Sequence, residues 1–439
     1  MKLLFALWSN CFNVETLQLK GLNSCSGIVD LPGSKSIANR ALLMAALCEQ
    51  GRVTELSHML RSDDTERMLE ALRALGVVIE EVTATTLRVH GCAGDWPSTP
   101  QQLYLGNAGT AMRPLTAVLA ATATRPIVLT GDARMQERPI ADLTQALLQG
   151  GADIRFLQKQ GYPPLAIHRK MHGGRLQVNG SASSQYISAL LMALPLLTQD
   201  SELELVGTVV SWPYIELTLA MLKSFGIKIH RPERQRFVIA GGQRYQSPEH
   251  YWIEGDASAA SYWLAAGVLG GGPLTIQGIG RKSIQGDIAF VDYLREMGGN
   301  IELHDESAVV SGGRLRGFDA DLNAIPDAAM TFATLALFAE GETCIRNIAN
   351  WRIKETDRLH AMATELRKCG AQVEEGADFI RIQPPTALRH AQIATYDDHR
   401  MAMCFSLLGF STSGVTIEDP SCCAKTYPNY FAEFERLCS

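Results

Sequence analysis

Five glycines, Gly76, Gly151, Gly226, Gly298 and Gly370, follow one another at intervals of 75, 75, 72 and 72 residues, and this regularity limits the fold more than any other feature of the chain. Each closes an amphipathic stretch and stands three residues before a β-branched residue, as in Leu75-Gly76-Val77-Val78-Ile79 and Phe225-Gly226-Ile227-Lys228-Ile229. A glycine so placed ends a helix before a strand opens. Equal spacing over most of the chain implies a duplicated unit of helices and strands. A sixth unit is expected at the helix-like Tyr430 to Leu437, where the chain stops before its strand could follow; the segment Glu15 to Leu31 can supply the missing strands. The period exceeds that of solenoid repeats, so two compact α/β (α+β) lobes of three units each are expected. The expected division is a discontinuous lobe, 1–33 with 254–439, holding both termini, and an inserted lobe, 34–253. The hinges fall near 32–34 and 253–256, and the lobes face each other across a cleft.

With 439 residues, 46% of them hydrophobic, the chain can bury more than one core. Its net charge of −6 argues against a general nucleic-acid or membrane binder, so any anion specificity must come from local basic clusters. The ten cysteines form no C-x-x-C pair and no disulfide framework, and reduced thiols in the cytoplasm are the expectation. Leu3 to Trp8 is short for a signal core and no small-x-small site follows it; Met1 to Phe12 reads as a loose extension. No run approaches a membrane span.

Several basic helix starts stand out. Pro32-Gly33-Ser34-Lys35-Ser36 runs into an apolar helix that Ser34 or Ser36 can cap, with Lys35 and Arg40 near its positive end. Gly106-Asn107-Ala108-Gly109 is a second Gly-rich turn into a helix, followed by Arg134 and Arg138 before another. Ser183-Ser184-Gln185 and Ser211-Trp212-Pro213-Tyr214 place hydroxyls at further helix starts. In the second half, Lys354 and Arg358 are four apart and are expected on one helical face, a repulsion that a shared anion would offset. Asp397-Asp398-His399-Arg400 lacks a second cluster at ligand spacing, so it reads as a helix start and not as a metal site. Lys425 closes the series. Singly each stretch reads as a cap or a turn; together they are cationic helix N-termini drawn from both halves.

The ordered strings LPGSKS-x-x-NR, GNAGTAMRP, R-x-x-ERPI, SSQ, IPDAAM, NWR-x-KETDR, DHRMAM and AKT-x-P resemble the 5-enolpyruvylshikimate-3-phosphate synthase family from about Glu15 to the C-terminus. The resemblance implies two lobes of three βαβαββ units with the active site between them. It implies transfer of the enolpyruvyl group of phosphoenolpyruvate to the 5-hydroxyl of shikimate 3-phosphate with release of phosphate, a step of aromatic amino-acid synthesis. Both substrates are polyanions, which suits bidentate guanidinium contacts. Carried over by similarity, Lys35, Asn107, the backbone at Gly109, Arg138, Gln185, Arg358, Arg400 and Lys425 would hold phosphoenolpyruvate. Lys35, Ser36, Arg40, Ser183, Ser184, Gln185, Ser211, Tyr214, Asp327, Asn350 and Lys354 would hold shikimate 3-phosphate. Asp327 would partner the attacking hydroxyl, although capping of the following helix is compatible with its position. Glu355 would deliver the proton to C3, with Lys35 as the other candidate. No metal or organic cofactor is implied, and a cytoplasmic monomer acting on small molecules, without nucleic acid or membrane, is expected. Ala108, Gly109 and Pro114 match the glyphosate-sensitive form of the family, which implies inhibition in the phosphoenolpyruvate pocket.

Two rival readings stand beside this one. The UDP-N-acetylglucosamine enolpyruvyl transferase of the same architecture is expected to use a loop cysteine, yet no cysteine lies between Cys92 and Cys344. A non-catalytic anion binder would gain nothing from Asp327 and Glu355. The departures from the family pattern are Trp212, where a basic residue is frequent, and the extension before Glu15.

Overall fold

The computed structural model describes residues 15–439, so the extension Met1 to Phe12 lies outside the described residues. All five repeat glycines have the left-handed backbone that the pattern requires, with φ between +77° and +110°. They follow the helices Asp63–Ala74, Ala141–Gln149, Pro213–Ser224, Phe290–Glu296 and Arg358–Lys368. The unit is clearest where strand Gln102–Tyr104, helix Gly109–Thr122, strand Ile127–Thr130, helix Ala141–Gln149 and strands Asp153–Phe156 and Leu165–Arg169 succeed one another. In its sheet Gln102–Tyr104 pairs parallel with Ile127–Thr130, which pairs antiparallel with Leu165–Arg169, and that strand antiparallel with Asp153–Phe156.

Five four-stranded sheets and one three-stranded sheet are present among the described residues. The three-stranded sheet and its neighbour recruit the N-terminal strands: Thr16–Leu19 pairs antiparallel with Val415–Glu418, and Cys25–Asp30 pairs parallel with Gly271–Gln277. Ser24 and Ser439 exchange both backbone hydrogen bonds, which brings the two ends of the described chain together.

In each unit one helix is buried on nearly every side, and beyond its first turns, where the charged side chains stand, it is predominantly apolar because little of it meets water. Lys35–Leu47, Gly109–Thr122 and Ser184–Ala193 fill a core built from residues between Ile37 and Ile253. Ala257–Leu269, Ala329–Leu335 and His399–Ser406 fill a second core, built from Leu19 to Leu31 and from Ala257 to Cys438. The outer helices, which end in the repeat glycines, are amphipathic and cover the sheets.

The chain passes between the cores twice, and the two crossings are paired. Gly33 and Gly255 form an antiparallel bridge, with Ser34 N–H donating to the Glu254 carbonyl at 2.7 Å and Asp256 N–H to the Pro32 carbonyl at 2.9 Å. Ser34 is the N-cap of Lys35–Leu47, but neither serine of the turn supplies the capping bond from its side chain. Asp256 does so from the other crossing: its carboxylate accepts from Lys35 N–H at 3.3 Å and from Ala259 N–H at 3.0 Å, joining the starts of two buried helices. No helix among the described residues is long and apolar enough to cross a membrane.

Candidate active site

The N-termini of the three buried helices of the first core open on one cavity between the two cores. From the first core it is lined by Lys35, Ser36, Arg40, Gly109, Arg138, Ser183, Ser184, Gln185, Ser211 and Tyr214, and from the second by Asp327, Asn350, Lys354 and Glu355. Asn107, Arg358, Arg400 and Lys425 stand directly behind this lining. Asn107 accepts from Arg138 through its carbonyl at 3.0 Å and its side-chain oxygen at 2.8 Å, and Lys425 Nζ donates to the same carbonyl at 3.2 Å. Every residue that the resemblance assigned to a substrate, and Glu355 with them, is therefore in or against the cavity.

Asp327 does not cap the helix after it. The N-cap of Ala329–Leu335 is Ala328, and the Asp327 carboxylate instead meets Arg358 at 3.0 Å, Arg400 at 3.1 Å and Lys354 at 3.2 Å. The buried Trp351 indole fixes this turn by donating to the Pro326 carbonyl at 2.7 Å. Burial works against the Asp327 charge, but Arg400, Lys354 and Arg358 outweigh it and hold the carboxyl well below the usual range. Glu355 is in the same state: burial opposes its charge, while Arg358, Arg138, Lys35 and Lys425 keep it ionised. Its carboxylate lies 2.8 Å from Arg358, whose guanidinium also grips Asp398 through Nε at 2.7 Å and Nη2 at 3.2 Å.

Lys354 and Arg358 do not share a helical face. The helix begins only at Arg358, with Asp357 as its N-cap, because the Asp357 carboxylate accepts from His360 N–H and ends the preceding turn. The two cations nonetheless converge on one anion, Asp327.

Arg40 is 5% exposed, and no carboxylate pairs with it among the described residues. Its contacts are the Thr218 hydroxyl at 2.9 Å, the Ser36 carbonyl at 2.9 Å and the Ser188 hydroxyl at 3.3 Å. Burial lowers its pKa to about 10. A buried guanidinium with only neutral partners calls for an anionic ligand. Ser183 caps its helix by accepting from Gln185 N–H at 3.2 Å, and Ser211 sits in a left-handed conformation, φ +54°, held by Asn323 and Asn350 of the second core. Strain of this kind at a cleft is typical of functional positions.

Four residues at the site were given no substrate or catalytic role by the sequence reading. Asp64, on the first turn of Asp63–Ala74, bridges Lys35 and Lys425 at 3.1 Å each; as a first-turn acid it looks like an ordinary dipole partner. Asp398 reads as a cap, and is one, through Arg400 N–H. Arg113 lies within the string GNAGTAMRP, yet its burial beside Arg138 could be seen only in the fold; burial and that neighbour lower its pKa to about 10. Arg134 reaches across the cleft to the carbonyls of Lys354 at 2.9 Å and Glu355 at 2.8 Å. Trp212, the departure from the family pattern, donates to Glu216 at 2.8 Å and lies under the Arg234 guanidinium at 4.9 Å.

Residues 19–434 match the model of the family described as EPSP synthase (3-phosphoshikimate 1-carboxyvinyltransferase). A protein of Idiomarina loihiensis named 3-phosphoshikimate 1-carboxyvinyltransferase is 59% identical over 97% of this chain and 99% of its own length. The chain belongs to the EPSP synthase family. Another protein of that name, from Actinobacillus pleuropneumoniae, is 54% identical over 97% of this chain and 99% of its own. Among solved structures, an EPSP synthase from Acinetobacter baumannii superposes with a TM-score of 0.79 at 24% identity, covering 96% of this chain and 98% of that one. The enolpyruvyl transferase NikO of Streptomyces tendae superposes with a TM-score of 0.78 at 18% identity, covering 97% and 98%. These two show that the fold is shared. As a member of the EPSP synthase family the chain is an enzyme, a transferase, and neither rival reading stands.

Proposed function

We propose that the cavity between the cores is where this chain carries out the reaction of its family. The enzyme transfers the enolpyruvyl group of phosphoenolpyruvate to the 5-hydroxyl of shikimate 3-phosphate and releases phosphate, a step on the route to the aromatic amino acids. The observation that carries the site is the meeting of buried cations from both cores around Asp327 and Glu355, which suits two polyanions reacting with each other. We assign shikimate 3-phosphate to Lys35, Ser36, Arg40, Ser183, Ser184, Gln185, Ser211, Tyr214, Asp327, Asn350 and Lys354. Phosphoenolpyruvate falls to Lys35, Asn107, Gly109, Arg138, Gln185, Arg358, Arg400 and Lys425.

The electrostatics suggest how the acid–base groups are armed. Without substrates, Asp327 and Glu355 neutralise the surrounding cations and are poor proton acceptors. Substrate carboxylate and phosphate groups take over those cations, so both carboxyl pKa values rise toward the range in which they exchange protons. In the addition step a proton passes to C3 of phosphoenolpyruvate from Glu355, or from Lys35 as the alternative. The 5-hydroxyl oxygen attacks C2 and yields its proton to Asp327. In the elimination step the C–O bond to phosphate breaks, C3 returns its proton to the group that supplied it, and the C2–C3 double bond re-forms as the enol ether of the product; the proton held by Asp327 leaves with the phosphate. Glu355→Gln is expected to lower turnover by roughly 10²–10⁴-fold with shikimate 3-phosphate affinity kept, as measured by steady-state kinetics and calorimetry. Near-normal turnover would transfer the role to Lys35.

The lobe boundaries 1–33 with 254–439 and 34–253 are part of this reading, supported by the paired crossings at Gly33 and Gly255. So are a cytoplasmic monomer, glyphosate as a competitor for the phosphoenolpyruvate pocket, and the absence of nucleic-acid or membrane partners, which the net charge of −6 supports. Phosphate release with both substrates present, and with neither alone, tests the reaction; light scattering on the eluted protein tests the monomer.

A further inference from the structure

On the Tyr214 side of the cavity the lobes meet through a second contact, which the transfer chemistry does not use. The turn Gly286–Ala289 of the C-terminal lobe lies against the first turn of Pro213–Ser224. A Cβ on Gly286 would overlap Pro213, so only glycine admits the approach. Beside it the Tyr214 hydroxyl donates to Asp287 Oδ2 at 2.6 Å, and the Ser258 hydroxyl donates to the same oxygen at 3.0 Å. Asp287 is 3% exposed, pairs with no cation among the described residues, and its Oδ1 has no partner.

Tyr214 passes this contact on. Its ring lines the cavity, and its carbonyl accepts from the Thr218 hydroxyl at 2.8 Å. Thr218 in turn accepts from Arg40 Nε at 2.9 Å. Two sets of hydrogen bonds, joined through the covalent frame of Tyr214, thus link Ser258 and Asp287 in one lobe to Thr218 and Arg40 in the other: the first holds the Tyr214 hydroxyl, the second its backbone carbonyl. An unpaired buried carboxylate is expensive, and a bond from a hydroxyl to a charged acceptor is among the stronger and more directional kinds. The arrangement trades stability for a fixed Tyr214.

We propose that Asp287 is a positioning residue for the shikimate 3-phosphate half of the site, holding the Tyr214 hydroxyl from the opposite lobe and thereby setting the Tyr214 ring and the Arg40 network. This rests on the assignment of Arg40 and Tyr214 to that substrate. Because donor and acceptor sit on different lobes, the bond exists only when the lobes are together, which links substrate affinity to closure.

The test compares Asp287→Ala, Asp287→Asn, Tyr214→Phe and the combined Asp287→Asn/Tyr214→Phe protein with wild type. Calorimetry reads shikimate 3-phosphate binding, and steady-state phosphate release reads KM and kcat. Asp287→Ala and Tyr214→Phe should each raise Kd and KM for shikimate 3-phosphate about tenfold, the size of one charge-assisted hydrogen bond, with KM for phosphoenolpyruvate changed less than about twofold. Asp287→Asn keeps an acceptor and should stay within about threefold of wild type. Adding it to Tyr214→Phe should change nothing, since no hydroxyl remains to be held. Equal rises in both KM values, an unchanged Kd in Tyr214→Phe, or an independent loss from Asp287→Asn in the Tyr214→Phe background would overturn the proposal, and the last two remain readable if Asp287→Ala does not fold. A wild type that releases no phosphate overturns the reaction assigned to the cavity instead, while calorimetry with shikimate 3-phosphate alone still reads the Asp287 contact.

Discussion

Gly109 shows how tightly the site is drawn at the scale of one residue. A Cβ there would collide with Arg113 Nη1 and come within 2.9 Å of Arg138 Nη2, so the added methyl must displace both guanidinium groups, one of which, Arg138, is proposed to hold phosphoenolpyruvate. Overpacking of this kind is worth about 1–3 kcal/mol. Gly109→Ala is expected to raise the glyphosate inhibition constant steeply, to raise KM for phosphoenolpyruvate less, and to leave KM for shikimate 3-phosphate nearly unchanged. Steady-state inhibition kinetics on both proteins check this, and unaltered glyphosate sensitivity would remove Gly109 from the pocket wall. Asp287 yields a second prediction. Burial first, and then the Asp327 charge, raise its pKa from 3.8 to about 6, against the pull of Tyr214, Arg400 and Ser258. A carboxyl whose folded pKa exceeds its unfolded one contributes stability below pH 3.8 and loses it as the pH rises through 6; the full change is about 3 kcal/mol, roughly half of it between pH 5 and pH 8. Asp287→Asn, which cannot ionise, should therefore raise Tm relative to wild type more at pH 8 than at pH 5. An equal difference at the two pH values would show that Asp287 does not titrate in this window.

At the scale of elements, the site is an assembly of helix ends. The buried helices contribute their first turns, where free N–H groups and the helix dipole already favour anions, and the basic side chains add to that field. The short turn Met135–Glu137 carries the strap between lobes, because Arg134 beside it reaches the Lys354 and Glu355 carbonyls. Such bonds hold the Lys354–Glu355 segment, which has no regular helix of its own, against the other lobe. Arg134→Ala should lower kcat/KM by roughly 10–100-fold, in line with the loss of charge-assisted hydrogen bonds of about 1.5–3 kcal/mol. Its Tm should change little, since neither core loses a contact. Kinetics and a thermal melt on the same preparation separate the two effects, and a large fall in Tm would make the strap a stability element.

Across the whole molecule, closure brings polar partners from different lobes together. Lys425 forms an ion pair with Asp64 at 3.1 Å, and the Tyr214 hydroxyl donates to Asp287 at 2.6 Å. Gathering so many ions in a water-poor cleft carries a large desolvation cost, which substrate anions offset better than the protein's own carboxylates can. Binding energy can therefore drive closure about the paired crossings at Gly33 and Gly255. Small-angle scattering is expected to show a smaller radius of gyration when shikimate 3-phosphate is added. An unchanged radius at saturation would mean that the closed arrangement is already the resting one.

The repeat, the helix-ending glycines and the identity of the cationic helix starts were all determined by sequence, because each depends on local physics: a left-handed backbone that favours glycine, a helix end that favours anions, a period imposed by duplication. The N-terminal strands completing the C-terminal lobe were legible for the same reason, since the last unit stops short. What only the tertiary structure decided was which charges meet. Asp327 could equally have capped its helix, Asp64 looked like a surface dipole partner, and Lys354 and Arg358 looked like neighbours on one face. Their actual partners lie from 27 residues (Lys354 and Asp327) to 361 residues (Lys425 and Asp64) away in the chain, and a Coulomb interaction depends on separation in space, which no local pattern records. Asp287 is the extreme case: nothing around it in the chain distinguishes it, and its meaning comes from a single hydroxyl, Tyr214, presented by the other lobe.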